Sequence, residues 1–241
     1  MTPIMLSVVI PAYNEGENLG AVIDEALSTL TRELSVHPFE VIVVNDGSSD
    51  RTGSVADEYR QTTSSIRVLH HASNQGLGVA LRTGFANSEG EYVGWLPADG
   101  QVRADQIINL LRIADGADFI TTTRLGAVEQ QNQRRSLLRK FLTWSMHILC
   151  KICLGIYPTH FTGTYMARGP YLRSIPLGSR TCLVGMELYV KSLRRNAKFQ
   201  HGECVITPRL SGESKVATSG GILMSVLDML RMAYFRLIRL E

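Results

Sequence analysis

The chain has 241 residues, 44% of them hydrophobic and 20% charged, with 21 glycines and 8 prolines. That is enough for one large domain around a substantial core, and it excludes a disordered, collagen-like or disulfide-stapled protein. The net charge of +3 conceals an uneven split: residues 1–123 hold 7 Lys and Arg against 16 Asp and Glu, a net of −9, while residues 124–241 hold 18 against 6, a net of +12. A half as basic as the second meets phosphates, nucleic acid or a lipid surface, or it offsets the acidic half beside it. Four cysteines (Cys150, Cys153, Cys182, Cys204) make no disulfide framework in a chain of this length. Cys150 and Cys153 have the spacing of a metal or redox pair but lack a second pair, so they read as core or interface thiols. No basic-then-apolar leader pattern opens the chain and no run of 18 uncharged apolar residues occurs, so neither a signal peptide nor a membrane span is expected and the default location is cytoplasmic.

Residues 5–11, MLSVVIP, are a β-branched run ending in proline, the pattern of a buried strand. A helix beginning at Asn14 or Glu15 would then place Leu19, Val22, Ile23, Ala26, Leu27 and Leu30 on one face. A strand over 39–44 leads into a polar, glycine-bearing turn and a helix capped near Ser49 or Asp50. SIRVLHH is a third strand and GLGVALRTGFANS a third helix; GEYVGWLP is a fourth strand, RADQIINLLRIA a fourth helix and ADFITTTR a fifth strand. This alternation predicts an α/β fold with a mostly parallel sheet covered by helices on both faces. Ligands bind such sheets beyond the carboxyl ends of the strands, and PAYNE, NDGSSD, NQGLG and PADGQ all fall there. Each alone has the composition of a tight turn. Four at one edge point to a binding site. No GxxxxGK[ST] is present and NQGLG is not a GxGxxG, which sets aside P-loop and dinucleotide sites.

The ordered set SVVIPAYNEGENL, VIVVNDGSSDRTG, NQGLGVALRTGF, PADGQ, TTTR and RLSGESK resembles the family-2 glycosyltransferases of GT-A (Rossmann-like) fold, most closely their dolichol-phosphate mannose synthase branch, and the match runs to about residue 216. The resemblance implies a GT-A domain over 1–216, divided into a nucleotide-sugar half (1–123) and an acceptor half (124–216), followed by an amphipathic helix over 217–241. It places the donor nucleoside against Pro11, Tyr13, Glu15, Val44 and Asp46, and the rest of the donor against Ala98, Asp99, Arg209 and Lys215. A carboxylate at Asp46 suits ribose hydroxyls or a base N–H. The family's Asp-x-Asp-x-Gln grips a divalent cation, so Asp99 and Gln101 become expected ligands of Mg2+ or Mn2+. Pro97, however, stands in place of the first aspartate.

Arg124, Arg209 and Lys215 are expected to stabilise the leaving diphosphate, with Asp99 and Glu187 as further catalytic candidates. Arg124, Arg139 and Thr143 are the expected contacts of an acceptor phosphate. The stretch 134–157 combines a basic cluster with apolar and aromatic residues, as an interfacial segment does, and Arg231, Arg236 and Arg239 in the last helix suit anionic headgroups. A second departure is Thr159, where relatives commonly carry Asp.

By resemblance the protein moves a hexose, with inversion, from a UDP- or GDP-sugar to a polyprenyl phosphate of dolichyl or undecaprenyl type, working peripherally at the cytoplasmic membrane face. Its expected partners are the donor, the acceptor lipid and an anionic membrane surface, together with a separate membrane subunit or a second copy of the chain, but not nucleic acid. Two other readings stay open. One is transfer to a soluble hydroxyl, which needs a carboxylate base; the other is non-catalytic nucleotide-sugar binding, for which Pro97 is the argument.

Overall fold

Alternate side chains of a strand face opposite sides of its sheet, so a strand with apolar residues on both faces must be covered twice. Leu6–Ala12 (β1) is such a strand, buried at all seven positions. Leu6, Val8 and Ile10 join one core cluster, with Leu19, Ile23 and Leu30 of helix Leu19–Glu33 (α1), Ala56 of Thr52–Thr62 (α2) and Ile107 of Ala104–Arg112 (α4). Val9 joins the other, with Leu81 and Phe85 of Leu77–Ala86 (α3), Leu172 of Gly169–Arg173 (α5) and Leu188 of Val184–Arg194 (α6). The computed structural model describes residues 3–125, 151, 164–210 and 219–237. Arg139, Thr143, Thr159, Lys215 and most of the 134–157 stretch lie outside these residues, and Arg124 is described only by its place in a strand.

The remaining strands are Phe39–Asn45 (β2), Ile66–His70 (β3), Tyr92–Trp95 (β4), Phe119–Leu125 (β5), Met166–Arg168 (β6) and Phe199–Val205 (β7). Their order across the sheet is β3-β2-β1-β4-β6-β5-β7. β1 pairs in parallel with β2 and β4, β2 with β3, and β5 with β7; β6 runs antiparallel between β4 and β5. The carboxyl ends of the parallel strands therefore share one edge of the sheet, and β6 starts there. The predicted α/β sandwich is the fold observed.

One sequence expectation shifts. α1 begins at Leu19 rather than at Asn14 or Glu15. Asn14 has a left-handed φ of 51°, donates its N–H to Ser48 Oγ at 2.9 Å and accepts the Ser49 N–H at 2.9 Å. The loop after β1 is thus tied to the loop after β2 before its helix can start. α2 begins at Thr52, whose N–H donates to Asp50 Oδ1 at 2.9 Å, so Asp50 serves the first turn as expected. β6 and β7 are additions that no periodicity announces: one is three residues long and the other, FQHGECV, is a half-exposed edge strand.

The C-terminal helix Ser219–Leu237 (α7) buries Ser225, Asp228, Met229 and Met232 and turns Leu223, Leu227, Leu230 and Tyr234 outward. Asp228 fixes that orientation: its Oδ2 accepts the N–H groups of Arg180 and Thr181, both at 2.9 Å, and the Thr181 hydroxyl at 2.8 Å. Among the described residues no helix is long and apolar enough to cross a membrane.

α3 lies directly on β1 because Gly84 leaves room for it. A Cβ at Gly84 would stand 2.3 Å from Val9 Cγ1 and 3.0 Å from Cγ2. Gly84→Ala is expected to lower stability by about 1–3 kcal/mol through overpacking, read as a lower urea midpoint at unchanged slope. An unchanged midpoint would show that the helix can lift off the strand freely.

Candidate active site

β4 ends at Trp95, and Leu96 stays on the sheet by donating its N–H to Val9 O at 2.9 Å. The chain then turns. Asp99 Oδ1 accepts the Gln101 N–H at 3.0 Å, and Gly100 takes a φ of 73°, open to glycine and strained for other residues. Ala98 points into the core.

From the far half of the sequence, the loop after β7 closes over this corner. Thr207 donates its N–H to Gln101 O at 2.9 Å and its hydroxyl to Gly100 O at 3.2 Å. Leu210 donates its N–H to Asp99 O at 3.2 Å. Arg209 Nη2 then lies 3.0 Å from Asp99 Oδ2, with the arginine side chain 23% and the aspartate side chain 9% exposed. Asp99, Gln101 and Arg209 are therefore brought together, and Arg124 lies at the end of neighbouring β5, in register with Cys204 of β7.

Pro97 brings no side-chain oxygen to this corner. Among the described residues, no group of three or more His, Cys, Asp or Glu side chains could hold a metal ion. What remains is the Asp99 carboxylate, with Gln101, whose side chain carries an amide, held beside it through its backbone N–H and C=O. A hard cation accepts such a set when phosphate and water oxygens complete its shell, so Asp99 and Gln101 fit a cation carried jointly with a diphosphate.

The part of the edge where the nucleoside was expected is more internally bonded than its composition suggested. Pro11 and Val44 are register partners in β1 and β2, both buried, and Val44 packs beneath α3. Tyr13 is 36% exposed just beyond β1, while Glu15 accepts the Asn18 side-chain amide at 2.8 Å and donates its own N–H to Thr52 Oγ1 at 2.8 Å.

Asp46, expected to meet ribose or base, is buried and occupied from within. Its oxygens accept the Gln75 N–H at 3.0 Å and the Gly76 N–H at 2.9 Å, and His71 Nδ1 lies 2.6 Å away. An ionised carboxylate only accepts, so His71 donates from Nδ1; its Nε2 faces Thr83 Oγ1 at 3.0 Å. Asp46 thus braces the β3–α3 loop in this state. His71 and Thr83 are members of the edge that sequence reasoning missed; the pair His70-His71 at the end of the third strand was the available sign.

Glu187 has a similar task. Its carboxylate accepts the Gly178 N–H on both oxygens, at 3.0 and 2.9 Å, and the Ser179 N–H at 2.8 Å, and Lys191 Nζ lies 2.9 Å away. Burial alone would push its pKa up, but the Lys191 bond and the backbone N–H groups outweigh burial and hold it below the ordinary glutamate value. A carboxylate so occupied is a weak base, so the catalytic expectation for Glu187 gives way to a bracing one. The loop it holds passes Arg180 O to the Gly78 N–H at 2.9 Å, at the start of α3.

Residues 7–173 match the family model for Glycosyl transferase family 2. The chain belongs to this family. It is 30% identical over 247 residues to a dolichyl-phosphate beta-glucosyltransferase of Trichomonas vaginalis, covering 97% of this chain and 72% of that protein. It is 35% identical over 156 residues to the human dolichyl-phosphate beta-glucosyltransferase, covering 60% of this chain and 48% of that protein, so it spans about half the length of that relative. These relatives stand in the branch that the motifs suggested.

Among solved structures it resembles mannosyl-3-phosphoglycerate synthase from Rubrobacter xylanophilus, with a TM-score of 0.71 at 18% identity over 99% of this chain and 76% of that one. It also resembles glucosyl-3-phosphoglycerate synthase from Mycobacterium tuberculosis, solved with Mn2+, UDP and glucosyl-3-phosphoglycerate, with a TM-score of 0.65 at 20% identity over 96% of this chain and 80% of that one. The shared fold is GT-A, and this family-2 member is a glycosyltransferase.

Glu187→Gln leaves backbone N–H groups facing an amide that accepts on one side only, and is expected to destabilise by about 1–3 kcal/mol at neutral pH. A lowered folded pKa contributes stability that is complete above the unfolded value and lost as pH falls through the folded one. The gap between wild type and variant in urea denaturation should therefore stay level near neutrality and close below about pH 4. A gap that widens on acidification would overturn the bracing role.

Proposed function

We propose that the protein transfers a hexose from a UDP- or GDP-sugar to a polyprenyl phosphate at the cytoplasmic face of a membrane. The observation that carries this reading is the 30% identity, along 97% of the chain, to a dolichyl-phosphate beta-glucosyltransferase. The corner formed by Asp99, Gln101 and Arg209 suits the diphosphate of the donor.

In the proposed step an oxygen of the acceptor phosphate attacks the anomeric carbon, and the bond from that carbon to the diphosphate oxygen breaks. The nucleoside diphosphate leaves with the electron pair, and the anomeric configuration inverts. A phosphate monoester is already ionised near neutral pH, so the step needs no strong general base, in keeping with a Glu187 carboxylate committed to its loop. Catalysis then rests on positioning and on positive charge aimed at the leaving group. Arg209 offers a planar fork to the diphosphate, and Arg124 and Lys215 belong to the same basic half. A divalent cation held by Asp99 and Gln101 would neutralise further charge on the diphosphate. Arg139 and Thr143 are assigned to the acceptor phosphate.

The outward stripe of α7 supports a lipid surface as partner. Leu223, Leu227, Leu230 and Tyr234 are spaced along one side of the helix; Arg231 lies among them and donates to Gly178 O at 3.1 Å, and Arg236 and Arg239 follow in sequence.

The test incubates the protein with labelled UDP- and GDP-hexoses, Mg2+ or Mn2+ and polyprenyl phosphate, then extracts with organic solvent. Label is expected in the organic phase; label confined to a water-soluble product would mean a hydroxyl acceptor instead. Asp99→Ala and Arg209→Ala are each expected to lower turnover about tenfold or more, equivalent to about 1.4 kcal/mol of transition-state stabilisation. Wild-type rates in both variants would sink the site assignment.

A further inference from the structure

We infer that Arg209 and a divalent cation compete for the single carboxylate of Asp99, and that the donor's diphosphate decides between them by drawing the guanidinium to itself. The inference rests on the donor-site reading above and concerns how that site loads.

Both oxygens of Asp99 are engaged. Oδ1 accepts the Gln101 N–H at 3.0 Å and Oδ2 faces Arg209 Nη2 at 3.0 Å. A small divalent cation would seat within about 2.0–2.6 Å of a carboxylate oxygen. At Oδ2 it would meet a like charge already paired with the same atom, in a site where the carboxylate side chain is only 9% exposed and screening by water is weak. With two aspartates in the motif, one could pair with arginine while the other met the metal. Pro97 removes that choice, so here one carboxylate serves both cations in turn.

Arg209 is well placed to change partner without leaving. Thr207 and Leu210 on either side of it are hydrogen-bonded to Gln101, Gly100 and Asp99, so the loop backbone stays on the corner while the side chain swings. A diphosphate offers the guanidinium two bonds to oxygens carrying more charge than a carboxylate. The same diphosphate supplies the oxygen ligands that a site of Asp99 and Gln101 lacks. Nucleotide binding thus frees Oδ2 and completes the cation's shell in one event, and by linkage each ligand tightens the other.

The test measures Mn2+ binding by the paramagnetic signal of the free ion, with and without saturating UDP or GDP. The proteins are wild type, Arg209→Gln, Arg209→Lys and the double variant Arg209→Gln/Asp99→Asn, each checked by thermal melt. Wild type should bind Mn2+ weakly alone and about tenfold or more tightly with nucleotide. Arg209→Gln should bind Mn2+ about fivefold or more tightly than wild type in the absence of nucleotide, and should lose most of the enhancement. Arg209→Lys, which keeps the charge but not the fork, should fall between them. The double variant should lose the gain, which ties it to Asp99 rather than to a site elsewhere. An Arg209→Gln protein that binds Mn2+ no tighter than wild type without nucleotide would overturn the competition. Failure of wild type to bind either nucleotide would overturn the donor reading instead, and the nucleotide-free comparison would still decide the competition.

Discussion

A buried carboxylate must be surrounded by donors, because an unpaired charge in a weakly polarisable interior costs several kcal/mol. Four such groups (Asp46, Asp99, Glu187 and Asp228) organise the loops at the functional edge of this molecule. Asp46 gathers the amides of Gln75 and Gly76, Glu187 those of Gly178 and Ser179, and Asp228 those of Arg180 and Thr181. Asp99 takes Gln101 from its own turn and Arg209 from the loop after β7. Alongside the glycines and the proline of these turns, loop conformations here are set by where a carboxylate needs its hydrogen bonds. The Gly78 N–H on Arg180 O then joins the Asp46 loop to the one shared by Glu187 and Asp228. The result is a continuous polar frame from the loop after β3 to α7.

This frame explains which parts of the structure were legible in the sequence. β1, β2 and β4 are buried on both faces, so they stand out as runs dominated by β-branched or aromatic residues, and α1 and α4 show their buried stripes at helical spacing. The edge strand β7 has no such run, and β6 is too short to show a period. The start of α1 was misplaced because Asn14 is claimed by Ser48 and Ser49 from another loop, and no local pattern contains that information. α7 is amphipathic in sequence, but periodicity alone does not say which side faces the protein. Asp228 decides it, since burying that carboxylate against Arg180 and Thr181 leaves the leucines outside.

For the site the division is different. Motif order placed Asp99, Gln101 and Arg209 in one site, and the fold brings Asp99 and Arg209 into contact. It did not reveal that Asp46 and Glu187, which look like free carboxylates in a one-dimensional reading, are already held by backbone amides together with His71 and Lys191 respectively. Residue type tells what a side chain can do; only three-dimensional neighbours tell whether it is already doing something else. His71 illustrates the converse, since its pairing with Asp46 and Thr83 makes it part of the edge although no motif marks it.

Pro97 is best understood through charge. With an aspartate at that position, the corner would hold two carboxylates against the guanidinium of Arg209 and carry an excess negative charge, which attracts a cation before any donor arrives. With proline, Asp99 is the one carboxylate of the turn, and its charge is matched by the paired Arg209 guanidinium. Proline also begins the turn well: Gly100 donates its N–H to Pro97 O at 3.4 Å, a weak closing bond, and a fixed φ at residue 97 limits how the chain leaves β4. On the proposed donor-site reading, proline at this position exchanges an expected metal ligand for a stiffer turn and a paired carboxylate. A corner of that kind has little reason to hold a divalent cation alone and good reason to hold one when a diphosphate brings its own negative charge and oxygens. On the competition inferred for Asp99, Pro97 alters when the cation binds and leaves Asp99 and Gln101 as the protein groups that would receive it.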